Sequence, residues 1–367
     1  VLLQKGGTTM TRQLASAFAF AWLICALGLL ALLQSRLAHR WLDRTDKRHA
    51  MHAVAVPRLG GLVLITAGAL SVLLVGGIDH ATTLMLTISW VALLLACASF
   101  MDDIRGLSPA VRLVMHLAAA ATVTSASGLG LDRASSVTGV WAFTYAGLAI
   151  LAILAIAWMT NLYNFMDGAN GLAGFMGIIG FGTMSWVAGQ HSQWSLALIC
   201  AAVSGACFGF LVFNFPRARI FMGDGGSIPL GFLAASLGLY GYQHGVWTWA
   251  FPLLVFSPFV VDATVTLAKR IAAGARIWEA HRQHYYHRLI LDCGWSHTRT
   301  ALVYAALMVA TSGYSLMLLP TRLGDGENAR EIGDVLLYLA PWAVIYASLI
   351  AALEWRLRSA RLRKNRA

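Results

Sequence analysis

The chain has 367 residues, 58% hydrophobic and only 12% charged, with a formal net charge of +11. A mean hydropathy of +0.68 is more apolar character than a soluble domain of this size can bury, which excludes a soluble globular class and predicts a polytopic membrane protein. The basic excess excludes nucleic acid as the natural partner, because the lysines and arginines track the edges of the apolar runs, where anionic lipid lies.

A bilayer core takes roughly 20 apolar residues per helical crossing. On that scale about eleven crossings are predicted, near 14–33, 60–76, 83–100, 109–127, 139–160, 171–189, 194–213, 226–243, 247–267, 300–319 and 335–353. The runs are continuously apolar rather than alternating, which favours helices over a barrel. The expected fold is therefore all-α. The loops are short, so residues 1–367 read as one transmembrane domain, with its chemistry in 36–290 and a basic tail at 355–367. The first run is too long for a signal peptide and has no small-residue cleavage site before the basic loop, so a retained helix is expected. Met10 precedes that helix and marks an alternative start that would place residues 1–9 outside the native chain. The five cysteines show no ligand spacing.

Five polar stretches interrupt this pattern: Arg44 to His49, Met101-Asp-Asp103, Asn161 to Gly168, Phe221 to Ser227 and His281 to Arg288. Successive stretches are separated by two apolar runs, and an even number of crossings returns the chain to the same side. All but five of the 27 Lys and Arg residues (the exceptions are Lys5, Arg12, Arg133, Arg322 and Arg330) then fall on the side of these stretches and the C-terminus. The positive-inside rule makes that side cytoplasmic and places the N-terminus outside.

Each stretch suggests chemistry. Asp102 and Asp103 end the third run; adjacent carboxylates repel unless a cation is shared, and acids at that depth suit a dication, a base or a cation-held substrate. Leu107-Ser108-Pro109 reads as the cap and first turn of the next helix. Asn161, Asn164 and Asp167 recur every three residues, which would put them on one helix face in a stretch without Lys or Arg. Asp224 lies among Gly223, Gly225 and Gly226 just before an apolar run, an arrangement that suits close approach of phosphate or a phosphate-bound metal. His281, His284 and His287 alternate with Arg282 and Arg288. Three imidazoles could ligate zinc, but interleaved arginines repel a dication and suit a diphosphate clamp better. Asp262, about two turns inside the ninth run, is either functional or paired with a nearby basic residue. His116 reads as core or lipid interface.

In order, Pro57-Arg-Leu-Gly-Gly61, Phe100-Met-Asp-Asp103 with Leu107-Ser108 and Arg112-Leu113, Asn161-x-x-Asn-Phe-Met-Asp-Gly168, Phe221-Met-Gly-Asp-x-Gly-Ser227 and His281-Arg-x-His-x-x-His-Arg-Leu289 resemble the polyprenyl-phosphate N-acetylhexosamine-1-phosphate transferases. The likeness runs from about residue 36 to 290. It implies a bacterial inner-membrane enzyme that moves a sugar 1-phosphate from a UDP-N-acetylhexosamine to undecaprenyl phosphate with Mg²⁺ (Mn²⁺ as the alternative ion) and releases UMP. It leaves room for a homodimer. By motif, Asp102 and Asp103 resemble the family's aspartate pair, Asp224 its metal-binding acid, and Asn161, Asn164 and Asp167 its nucleotide- and metal-proximal loop. His281, Arg282, His284, His287 and Arg288 resemble its histidine loop. Spaced rather than consecutive histidines are like the branches that start O-antigen, common antigen or teichoic-acid linkage, rather than the muramoyl-pentapeptide branch. The first loop departs from the usual Pro-Asn-x-Arg pattern, leaving Lys47 and His49 as candidate substrate contacts.

Direct displacement is the favoured chemistry, because a phosphate monoester with a second pKa of about 6 is already mostly dianionic and needs little general base. Asp224 is then expected to hold the metal with help from Asp167, and Asp102 to contact the lipid phosphate. A lipid or solute transporter is the main alternative; it would gather polar groups at the bilayer midplane within paired repeats, and neither is visible.

Overall fold

The computed structural model describes residues 2–35, 56–76, 82–129, 140–276, 281–318 and 328–364. Lys47 and His49 fall outside the described residues. Thirteen α-helices are present among them: α1 (Leu2–Gln34), α2 (Gly60–Leu74), α3 (Thr83–Arg105), α4 (Pro109–Thr124), α5 (Val140–Phe165), α6 (Leu172–Gln190), α7 (Trp194–Asn214), α8 (Asp224–Gln243), α9 (Ala250–Val255), α10 (Ser257–Ala272), α11 (Tyr285–Leu291), α12 (His297–Leu318) and α13 (Asn328–Lys364).

Every predicted apolar run is helical. Eight helices are long and apolar enough to cross a membrane, and α2 is a shorter apolar helix. The protein is an all-helical, multi-pass membrane protein. The run predicted at 247–267 is not one helix but two, α9 and α10, which meet at Phe256. The reason is local: Pro258 lies in the first turn of α10, where its missing N–H and fixed φ start a helix but cannot continue one.

Boundaries follow the capping residues. Thr82 accepts a hydrogen bond from Met85 N–H at 3.3 Å to start α3. Gly106, at φ 70°, ends that helix in the left-handed conformation. Ser108 accepts from Val111 N–H at 3.4 Å with Pro109 at the first helical position, so the predicted cap of α4 is present. Helix α7 is buried along nearly its whole length, packed against α1, α2 and α6, while α8 packs against α3 and α5. The apolar residues that α5 and α13 expose, such as Leu151, Leu154, Val344 and Trp355, are those expected to face lipid.

One end of the bundle carries the described polar stretches. There the segment before α2 pairs with the segment before α8: Phe221 N–H donates to Pro57 O (2.8 Å), and Gly60 and Gly61 N–H donate to Phe221 O (3.0 Å) and Met222 O (2.8 Å). A Cβ on Gly61 would fall on the Gly226 backbone. Two glycines facing each other are what let α2 and α8 come this close.

Candidate active site

Three of the described polar stretches converge around Asp224. Gly223, at φ 69° and ψ 173°, turns the chain into α8. Asp103 Oδ2 accepts the Asp224 N–H at 3.1 Å, so the second aspartate of the pair holds the turn that presents Asp224. From α5, Asn164 Oδ1 accepts from Ser227 Oγ at 2.7 Å, and the Asn164 side chain also bonds the Asp224 carboxylate. Asp167 lies just beyond the end of α5, and its carboxylate senses the charges of Asp224 and Asp103. Burial first, then those two negative charges, hold Asp167 well above the usual carboxylate range, with Arg58 acting in the opposite direction.

The two members of the aspartate pair differ. Asp102 is only 5% exposed. Its Oδ1 accepts from Leu107 N–H at 2.5 Å, and its Oδ2 faces Arg112 Nε at 3.3 Å. Asp102, expected to contact the lipid phosphate, faces Arg112 in this structure. Asp103, Asp167 and Asp224 are the half-buried carboxylates of the cluster. Arg112 also approaches Asp224 Oδ2 at 3.7 Å, so one guanidinium lies between two acids. Arg58, in the turn before α2, is electrostatically coupled to Asp103, Asp167 and Asp224.

Arg58, Arg112 and Ser227 were visible in the sequence only as members of motifs, with no role attached. Their spacing from the acids along the chain carries no signal, since the contacts cross from one helix to another. Because Arg112 approaches both Asp102 and Asp224, Arg112→Ala is expected to lower turnover by about 10²-fold, the usual cost of losing one charge-stabilising donor. Arg112→Lys, which keeps charge without the planar fork, should fall between; a UMP-release assay on the purified variants checks both, and wild-type turnover in Arg112→Ala would remove the role.

Asn161 and Asn164 occupy the last turns of α5, whereas Asp167, expected on the same helix face, lies in the turn beyond its end. Asn161 Nδ2 donates to Ala157 O at 2.8 Å and the side chain lies against the buried His116 of α4. Asn164 alone of the two reaches the Asp224 turn among the contacts described.

The histidine-arginine loop forms a neighbouring subsite. His281 stacks on His284 with ring centroids 4.8 Å apart, and His284 is 6.0 Å from both His287 and Phe165. The imidazoles form a row rather than a convergent set, and among the described residues no group of three His, Cys, Asp or Glu side chains is placed to hold a metal by itself. The row is joined to the aspartate pocket through Tyr286, whose hydroxyl donates to Phe165 O at 3.0 Å. Tyr286 packs over Gly168 so closely that a Cβ there would fall on its hydroxyl. Arg288 Nη1 is 2.5 Å from Glu354 Oε1 of α13, and Lys269 Nζ is 2.7 Å from the same atom. Arg282 and Arg288 line a cavity of about 530 Å³ with Lys269, Tyr285, Asp292 and Glu354. Arg288, expected to clamp a diphosphate, is thus ion-paired in this structure.

Burial, and after it the nearby His284, lower His287 to about 3; His281 and Arg282 add to this, and Asp262 opposes it. His287 is therefore neutral when folded, whereas the unfolded chain takes up its proton near pH 6.5. Between those values the unfolded state binds the extra proton, so stability falls as pH falls, by up to about 1.4 kcal/mol per pH unit. The melting temperature in detergent is expected to drop from pH 7 to pH 5, and His287→Gln to recover part of the drop; identical slopes would contradict the neutral assignment.

An acid- and amide-lined pocket, two arginines and an adjoining histidine row thus share one end of a helical membrane bundle. Residues 83–242 match glycosyl transferase family 4. Among similar proteins, the phospho-N-acetylmuramoyl-pentapeptide-transferase of Enterococcus faecalis is 32% identical over 145 residues, 38% of this chain and 42% of that protein. Its namesake from Bacillus cytotoxicus is 32% identical over 129 residues, 34% of this chain and 37% of that protein. The matched stretch thus spans less than half the length of either relative.

Proposed function

We propose that the protein transfers an N-acetylhexosamine 1-phosphate from a UDP-sugar to undecaprenyl phosphate, at the cytoplasmic face of a bacterial inner membrane, releasing UMP and starting a cell-surface glycan of the O-antigen type. The observation that carries this reading is the convergence of Asp103, Asn164, Asp167 and Asp224, drawn from α3, α5 with the turn after it, and α8, with Arg58 and Arg112 at one end of a membrane bundle. The match of residues 83–242 to glycosyl transferase family 4 supports the reaction class. The spacing of His281, His284 and His287 by arginine supports the O-antigen-like branch.

The chemistry is an electrostatic problem. A phosphate monoester dianion must approach an anionic diphosphate, so the pocket has to supply positive charge and exclude bulk water. Arg112 and Arg58 supply fixed positive charge beside the acids. Asp103 and Asn164 hold the Asp224 turn. The acids also suit Mg²⁺, or Mn²⁺, which takes one or two carboxylates and completes its shell with water and substrate phosphate. The fit is supported by Asp167, which is raised by burial and by the charges of Asp224 and Asp103 more than Arg58 offsets. Asp224 and Asp167 would hold the ion, which when bound would neutralise diphosphate charge. The histidine row, reached through Tyr286, would flank the donor's diphosphate.

Purified protein incubated with undecaprenyl phosphate, Mg²⁺ and a panel of UDP-N-acetylhexosamines should release UMP only when lipid and ion are both present. The most active donor would name the sugar. Folded protein that releases no UMP from any donor would remove the assignment.

A further inference from the structure

Asp262 lies in α10, seven residues before Lys269, and is 3% exposed. A carboxylate this deep in an apolar helix is costly unless its oxygens are fully engaged. They are. Oδ1 accepts from Tyr285 N–H at 2.8 Å and Thr266 Oγ1 at 3.3 Å, and lies 3.4 Å from His284 Nδ1. Oδ2 accepts from Tyr286 N–H at 3.0 Å and from the Tyr304 hydroxyl at 2.5 Å. Tyr285 and Tyr286 are the first two residues of α11, and the residue before them, His284, makes no side-chain cap bond. The N–H groups that a helix start leaves unsatisfied are therefore met by an acid on another helix.

The consequence reaches the pocket. Asp262 faces Nδ1 of His284, which leaves Nε2 as the ring nitrogen turned away from the carboxylate. Tyr286, pinned by its backbone to Asp262, is pinned by its hydroxyl to Phe165 O (3.0 Å) and stacks on His287 at 4.0 Å. Phe165 follows Asn164, the residue bonded to Ser227 at 2.7 Å. A continuous set of contacts thus runs from α10 through α11 to the turn that presents Asp224.

We propose that Asp262 is a positioning residue for this site: by capping α11 from α10 it fixes the histidine-arginine loop against the 165–168 turn, so that loop and aspartate pocket act on one substrate. This rests on the transferase reading, and the test separates the two. In the full-length protein in detergent, Asp262→Asn puts a donor among donors, and Tyr304→Phe removes one bond while leaving the ring. With UDP-sugar saturating, Asp262→Asn is expected to lower kcat by about 100-fold, the scale of a displacement near 1 Å. Tyr304→Phe should fall less, in the same direction. Gly168→Ala, which displaces Tyr286 from the other side, should add little to the loss in Asp262→Asn, because both act on one element. An activity-independent readout is tryptic cleavage after Arg282, expected to be faster in both variants. Wild-type kcat and cleavage in Asp262→Asn, or losses with Gly168→Ala that simply multiply, would overturn the proposal. If Asp262→Asn does not fold, Tyr304→Phe decides alone, and wild-type kcat and cleavage there overturn it. Faster cleavage in the variants, with no UMP from wild-type protein, would sustain the positioning and reject the transferase reading.

Discussion

Asp224→Asn is expected to abolish measurable turnover, a loss of about 10³-fold or more, at every Mg²⁺ concentration tested. The substitution preserves size and leaves the backbone untouched, so the turn at Gly223 and the bond from Asp224 N–H to Asp103 Oδ2 at 3.1 Å should persist. What is lost is the charge. Raising Mg²⁺ rescues a weakened site but not a missing ligand, so flat, near-zero rates across a titration are the diagnostic result. Stability should move in the opposite direction. Asp224 sits beside Asp103 and Asp167, and removing one of three crowded anions relieves repulsion that the fold bears for function. A melting temperature at or above wild type, with dead enzyme, is the expected pair of measurements. Turnover within tenfold of wild type would remove Asp224 from the mechanism.

Gly61→Ala is expected to be as damaging by another route. The new Cβ would fall on the Cα and N of Gly226 and lie 2.6 Å from Met222 O. These are backbone atoms, so no side chain can turn aside, and α2 must move from α8. Overpacking of this kind costs about 1–3 kcal/mol and sometimes more. It would also break the Gly61 N–H bond to Met222 O at 2.8 Å, two residues from Asp224, so melting temperature and turnover should fall together. Gly226→Ala should behave alike. Gly225→Ala is the control for stability: its Cβ meets Ala96 O at 3.4 Å and Phe100 Cβ at 3.5 Å, ordinary contacts, and it should melt as wild type does. Equal stability of Gly61→Ala and Gly225→Ala would contradict the tight α2–α8 contact.

These residues show where the sequence was legible. Pro57 to Gly61 and Phe221 to Ser227 stood out as motifs, but nothing in their order says that one is hydrogen-bonded to the other. Asp102 and Asp103 read as one pair, with Asp102 the expected contact for the lipid phosphate. Successive helical residues point about 100° apart, and only the packing of α3 decides that Asp102 lies under Arg112 while Asp103 reaches the Asp224 turn. Arg288 read as part of a diphosphate clamp, and its pairing with Glu354 of α13, 66 residues further on, had no signal in the sequence. Asp262 was left open between function and a local pair, and its donors come from three separate elements.

The sequence by itself determined the apolar runs, the polar stretches between them and the helical class. A bilayer allows few alternatives, since each buried backbone group must find its partner within its own helix, and one-dimensional hydropathy then suffices. The tertiary structure alone decided which acids remain open to the pocket, which arginines serve them, and how the histidine row is held against them. Those are contacts between helices, set by side-chain packing and glycine-permitted approach, and they leave no period or spacing along the chain.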